Sequence, residues 1–139
     1  GPFLLDAVVA CAGLLAQSGR TAMKVNTADL IGPALDWAVA VVEGLIEENA
    51  WTTIEIFKAA RAGGLYWYST DWGQGGPIIE QERLEVSPTF SNTAWVAVYP
   101  NNPTSKQYWS NGPTPLIAAM RCFVASRLGD EVEIPDELV

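Results

Sequence analysis

The stretch Tyr66-Trp67-Tyr68-Ser69-Thr70-Asp71-Trp72-Gly73-Gln74-Gly75-Gly76-Pro77-Ile78-Ile79-Glu80 concentrates aromatic rings, glycines and carboxylates. Glycines ahead of a helix start let backbone N–H groups approach an anion, and the helix dipole favours negative charge there. Aromatic faces beside such a loop can stack on a planar base. Pro77 is expected to open a helical turn. A second glycine-proline entrance, Asn111-Gly112-Pro113-Thr114-Pro115, offers another helix N-terminus with Thr114 as its cap. Together these features would hold a nucleotide-like ligand, its ring on Trp67, Trp72 or Trp109 and its phosphates at the helix ends. Tyr68, Asp71, Gly75 and Gly76 complete that candidate site. The pattern is neither a Walker loop nor a GxGxxG fingerprint. The simpler reading is a tight turn whose Trp and Tyr residues serve the core.

Arg121 is the only charge within the apolar run Leu116 to Ala125. An unpaired buried charge costs several kcal/mol, so a partner among Asp71, Glu80 and Glu82 is expected. The functional alternative is a guanidinium fork that faces a cleft and takes a carboxylate or phosphate bidentately. Arg83 is a weaker candidate of the same kind. Asp71 with Glu80 or Glu82 could form a glycosidase-type acid pair, but capping and solvation account for these acids more simply. The chain has no histidine, which removes Ser-His-Asp and Cys-His catalysis and every His-containing metal site. Its two cysteines, Cys11 and Cys122, lack CxxC spacing. A free thiol in the apolar run around Cys122 behaves as a small hydrophobe, and that reading is favoured over a disulfide. No catalytic residue, metal or cofactor is assigned.

The elements that must position these residues read as α+β. Leu4 to Gln17 is expected to be an amphipathic or buried helix. Gly32-Pro33 opens a second helix, with Leu35, Ala38, Val42 and Leu45 or Ile46 on its core wall and Asp36, Ala40, Glu43 and Glu47 opposite. Trp51 to Ala62 is a shorter helix stopped by Gly63-Gly64. Leu65 to Tyr68, Arg83 to Val86, Thr93 to Tyr99 and Gln107 to Ser110 are expected strands. The third of these, apolar on both faces, is expected to be central. The last helix runs from Leu116 to Leu128 and stops at Gly129. Val132 and Ile134 alternate with acids as an edge strand would. The expectation is a small antiparallel sheet of three to four strands packed against amphipathic helices.

The 139 residues suit one domain. Apolar residues make up 49% and charged residues 17%, which argues against disorder. The formal charge of −8 repels nucleic acid and anionic membrane at long range, so neither is expected as a partner. An acidic surface suits solubility first and a basic protein partner second. Gly1-Pro2 reads as the scar of a cleaved tag. The apolar run from Phe3 to Ala16 lacks the basic flank of a signal peptide and is too short to span a bilayer.

From Met23 onward the chain resembles the NinX-like family of small tailed-phage and prophage proteins of unknown function. The resemblance rests on Thr27-Ala28-Asp29-Leu30 with Ala34-Leu35-Asp36-Trp37-Ala38-Val39-Ala40, and on Tyr68-Ser69-Thr70-Asp71-Trp72 through Gly75-Gly76-Pro77-Ile78-Ile79-Glu80. It continues in Gly112-Pro113-Thr114-Pro115-Leu116-Ile117-Ala118-Ala119-Met120-Arg121 and Leu128-Gly129-Asp130-Glu131-Val132. Residues 1–22, read as an N-terminal helical extension, fall outside it, as does Leu45 to Gly64; residues 23–139 form the expected phage domain. The resemblance implies a phage context and the cytoplasm of an infected bacterium, and supplies no reaction. The expected role is a phage accessory protein that sequesters a small anionic, nucleotide-derived host-defence signal without cleaving it. The alternative is a protein-binding inhibitor of a host factor, acting through its acidic or aromatic surface. A homodimer sharing the pocket is compatible with either.

Overall fold

The computed structural model describes residues 21–47, 53–100 and 108–139. The expected helix from Leu4 to Gln17 lies outside them. Among the described residues the order is β1 (Ala22–Asn26), a 3-10 turn (Thr27–Asp29), α1 (Gly32–Val42), α2 (Ile54–Ala62), α3 (Trp72–Glu82), β2 (Glu85–Pro88), β3 (Trp95–Val98), β4 (Trp109–Gly112), α4 (Pro115–Leu128), β5 (Glu131–Pro135) and a closing 3-10 turn (Asp136–Leu138). This is an α+β fold with two antiparallel sheets, one of three strands in the order β2-β3-β4 and one of two, β1-β5.

The most apolar strand, β3, is central, and its Ala97 is fully buried. Its register sets Val96 against Asn111 and Trp95 against Gly112. Helix α4 lies across this sheet. Gly112 permits the contact, because a Cβ there would stand 2.6 Å from the Ala118 backbone nitrogen and 3.0 Å from its Cα. The Thr114 hydroxyl accepts from Ile117 N–H at 3.2 Å to cap α4, and Gly129, at φ 90, ends it. The two-stranded sheet joins distant parts of the chain. Val25 faces Val132 and Met23 faces Ile134, so the alternation of Val132 and Ile134 with acids does mark a strand, whose partner is β1.

Helix α1 departs from the expected pattern twice. It ends at Val42, because Gly44 turns left-handed at φ 78 and Leu45 N–H closes on Ala40 O at 3.0 Å, a glycine-dependent helix stop. It is also buried all round from Ala34 to Ala40, including Asp36, so Asp36 and Ala40 do not mark a solvent face. Neighbours on every side turn this helix into the core's axis, and the core extends through Phe57, Ile78, Met120, Phe123 and Ile134.

The aromatic stretch Leu65 to Tyr68 is not a strand. Tyr66 takes φ 60, a left-handed conformation no strand accommodates. The ring stacks on Phe57, centroids 5.3 Å apart at 17°, and Phe57 meets Trp37 edge-on, also at 5.3 Å. These packing contacts favour the loop over an extended backbone. The glycine-rich segment after this loop is helical, and Pro77 does not open it: α3 starts at Trp72 and carries Pro77 in its interior. Proline there removes one intrahelical bond without ending the helix.

Candidate functional site

The predicted residues fall into three separate groups. Trp67 belongs to a structural network. Its indole N–H donates to Arg61 O at 2.8 Å, and the Arg61 guanidinium lies 3.7 Å from the centroid of its ring. Arg61 in turn pairs with the fully buried carboxylate of Asp36 and donates to Tyr66 O at 2.7 Å. Asp36 also accepts from Ser69 N–H at 2.8 Å. One carboxylate thereby ties α1, α2 and the loop before α3 together. This is where the fold keeps its buried ion pair. Arg121, expected to have such a partner, makes no ion pair among the described residues.

Asp71, Gly75 and Gly76 serve α3. Asp71 caps it, accepting from Gly73 N–H at 2.8 Å and from the Gln74 amide at 3.0 Å. Gly75 is buried against Tyr68 O and the Leu116 side chain, whereas a Cβ on Gly76 would meet only Trp72 Cε3 at 3.8 Å. The first helical turn thus packs on the α4 N-terminus, and Asp71 fills the capping position where an anion would sit. Trp72 is exposed, and with Thr70, Thr114 and Leu116 it borders a small cavity of about 190 Å³.

Trp109 and Arg121 come together elsewhere, in a larger cavity of about 750 Å³. Tyr108, Trp109, Ser110, Asn111, Gly112 and Pro113 form one wall. Arg121 and Ala125 of α4, Ala28 of the 3-10 turn, Thr93, Ala94 and Asp130 complete it. Arg121 is half-buried. Its Nε donates to Leu30 O at 2.7 Å and its Nη1 to Asn111 O at 3.0 Å. Burial lowers its basicity and nearby Asp29 raises it, which leaves an arginine charged at neutral pH. Backbone carbonyls therefore aim the guanidinium without neutralising it, and no described group is bonded to its Nη2. Trp109 is 60% exposed beside it, its ring free to stack.

Sequence reasoning found Arg121 and Trp109 but not the carbonyls of Leu30 and Asn111, which have no sequence signature. It also missed Asp36 and Arg61. The signal for Asp36 was present, as the lone charge among Ala34 to Val42. Two of the three acids named for glycosidase-type chemistry have structural partners: Asp71 caps α3, and Glu82 accepts from Tyr99 Oη at 3.0 Å and pairs with Arg127.

The half-buried Tyr68 phenol and the buried Cys122 thiol give the fold an alkaline limit. Burial, helped by the negative charges of Glu43 and Asp36, pushes the Tyr68 phenol up to about 12. Burial alone pushes the Cys122 thiol up to about 12. Their ordinary values are 10.0 and 9.0. Across that window the native chain holds protons that the unfolded chain has released, so stability is full below about pH 9 and falls as pH rises toward about 12. The urea midpoint is expected to drop between about pH 8 and about pH 11; an unchanged midpoint would contradict this assignment.

The described residues include no helix long and apolar enough to cross a membrane. A search of curated proteins finds no match to the chain. The profile of the family described as "Bacteriophage P22, NinX" matches residues 26–127, a span running from the end of β1 nearly to the end of α4 and containing Trp72, Trp109 and Arg121. That match covers well over half of the sequence, and the chain belongs to the NinX family of phage proteins.

Proposed function

We propose that this NinX-family protein is a phage accessory protein that captures a small, anionic, nucleotide-derived ligand in the Trp109–Arg121 cavity and holds it without cleaving it. The observation that carries this reading is Arg121: a half-buried guanidinium on a cavity wall, oriented by two backbone carbonyls and paired with no carboxylate among the described residues. Its outer fork suits a phosphoryl group, and Trp109 supplies a stacking face for a base. The cavity volume of about 750 Å³ lies within the ~300–1,000 Å³ usual for small-molecule sites. Asp71 and Glu82, the engaged acids of the hydrolytic alternative, do not line this cavity.

Calorimetric titration with cyclic nucleotides and ADP-ribose derivatives tests this. Binding is expected at one site per chain, with the ligand recovered intact. Arg121→Gln is expected to weaken it at least about tenfold, the scale of one charge-assisted hydrogen bond. Full affinity in that variant, or product accumulating beyond stoichiometry, sinks the proposal.

A second reading is favoured by one observation. Phe90, in the turn between β2 and β3, is fully exposed at 109%, an unusual position for a large apolar ring. It would anchor a host protein in the inhibitor reading, since aromatic side chains are common anchors of interface hot spots. Phe90→Ser then removes partner capture and leaves nucleotide binding intact.

A further inference from the structure

We infer that the occupant of the Trp109–Arg121 cavity is an isolated phosphodiester, a nucleotide whose phosphoryl group carries a single negative charge, rather than a terminal phosphate or a polyphosphate. This rests on the ligand-binding reading above and narrows it by counting charges.

Among the described lining residues Arg121 is the only cation, and Asp130 lines the same space. Asp29 stands next to Leu30, whose carbonyl holds Arg121 Nε, and its charge is felt at the guanidinium. Both acids are exposed and make no ion pair among the described residues. The chain as a whole carries −8. One charge on the ligand therefore meets one cation, whereas every further charge meets Asp130, Asp29 and the field of an acidic protein, with no second cation among the described lining residues to balance it. Like-charge placement in a partly desolvated site selects against the wrong ligand more strongly than the matching contact selects for the right one. The guanidinium geometry agrees. With Nε and Nη1 already committed to Leu30 O and Asn111 O, the open edge can bridge the two non-bridging oxygens of one phosphoryl group but cannot gather two.

The remaining wall is shaped for the rest of such a molecule. Ala28, Ala94, Gly112, Pro113 and Ala125 keep the hollow open with little side-chain bulk, and Trp109 offers a ring face. The volume of about 750 Å³ leaves room for a cyclic mononucleotide, whose single diester carries the one charge that Arg121 can meet.

Titration at fixed ionic strength with cyclic di-AMP, 3′,5′-cyclic AMP, 5′-AMP, ADP-ribose and ATP distinguishes the possibilities. 3′,5′-cyclic AMP, with one charge, is expected to bind at least about tenfold tighter than 5′-AMP at about pH 7.5, one such step in affinity, and tighter than cyclic di-AMP, whose two diesters carry two charges. The gap is expected to shrink at about pH 5.5, because a phosphomonoester loses its second charge with a pKa of about 6. Asp130→Asn is expected to narrow the gap as well, by improving 5′-AMP and ATP more than 3′,5′-cyclic AMP. If 5′-AMP, cyclic di-AMP, ADP-ribose or ATP binds as well as 3′,5′-cyclic AMP at about pH 7.5, the charge-matching inference is overturned and the ligand-binding reading stands. If all five probes are silent, the ligand-binding reading itself fails and the inference with it.

Discussion

Asp36→Ala is expected to lower the unfolding free energy by about 3–5 kcal/mol, the cost of removing one partner from a buried ion pair. The Asp36 side chain is fully buried and that of Arg61 only 12% exposed, so the guanidinium left behind has little water to turn to. The loss also removes the acceptor of Ser69 N–H, a second buried polar group without compensation. Against the ~5–15 kcal/mol that holds a typical domain together, the variant sits near the edge of folding. Replacing both partners together, as in Asp36→Leu with Arg61→Met, is expected to recover most of the loss, since a buried pair exchanged for packed apolar side chains is often close to neutral. Urea denaturation of the three proteins measures this. A loss under about 1 kcal/mol in Asp36→Ala would mean that the network is not buried as described.

Gly75→Ala and Gly76→Ala are expected to move stability in opposite directions. Alanine in place of glycine favours a helix interior by about 1 kcal/mol, and at Gly76 that gain is free to appear, because the new methyl meets only Trp72 Cε3 at 3.8 Å. At Gly75 the same methyl collides with the Tyr68 carbonyl oxygen and comes within 2.7 Å of Leu116 Cδ2. Backbone on one side and a core leucine on the other leave no cheap relaxation, so overpacking is expected to cost about 3 kcal/mol. Thermal denaturation of the two variants reads the difference directly. If the glycines were instead making room for a bound phosphate, both substitutions would leave stability nearly alone and both would weaken ligand binding.

What could be read from the sequence followed how local each determinant is. The cap and stop of α4 are set by Thr114, Pro115 and Gly129 within a few residues of the helix they bound, and they were legible. So was β3, whose apolar run announces the central strand of its sheet. The turn at Tyr66 was not legible, because aromatic residues favour strands only where a pleated surface is there to pack them. Here the packing surface is Phe57, on a helix. Strand β1 was missed for a related reason: nothing in Ala22–Asn26 reveals that its partner follows α4. At the site, Arg121 stood out as a lone charge, yet its expected acid partner gave way to two carbonyls. The same signal at Asp36 went unused, because an acid on an amphipathic helix is normally taken to face water.

The pairing of β1 with β5 has a consequence for biosynthesis. Thr27 N–H and its hydroxyl both reach Asp130 O, across 103 positions of sequence. None of these bonds can form while β5 is still inside the ribosomal exit tunnel, so β1 emerges early and waits through the translation of everything between. Closing so long a loop is entropically slow, which makes zipping of this sheet a late event in folding. Until it occurs, the Thr27–Leu30 corner that steadies Arg121 lacks its anchor, and the cavity matures only after β5 has emerged and joined β1.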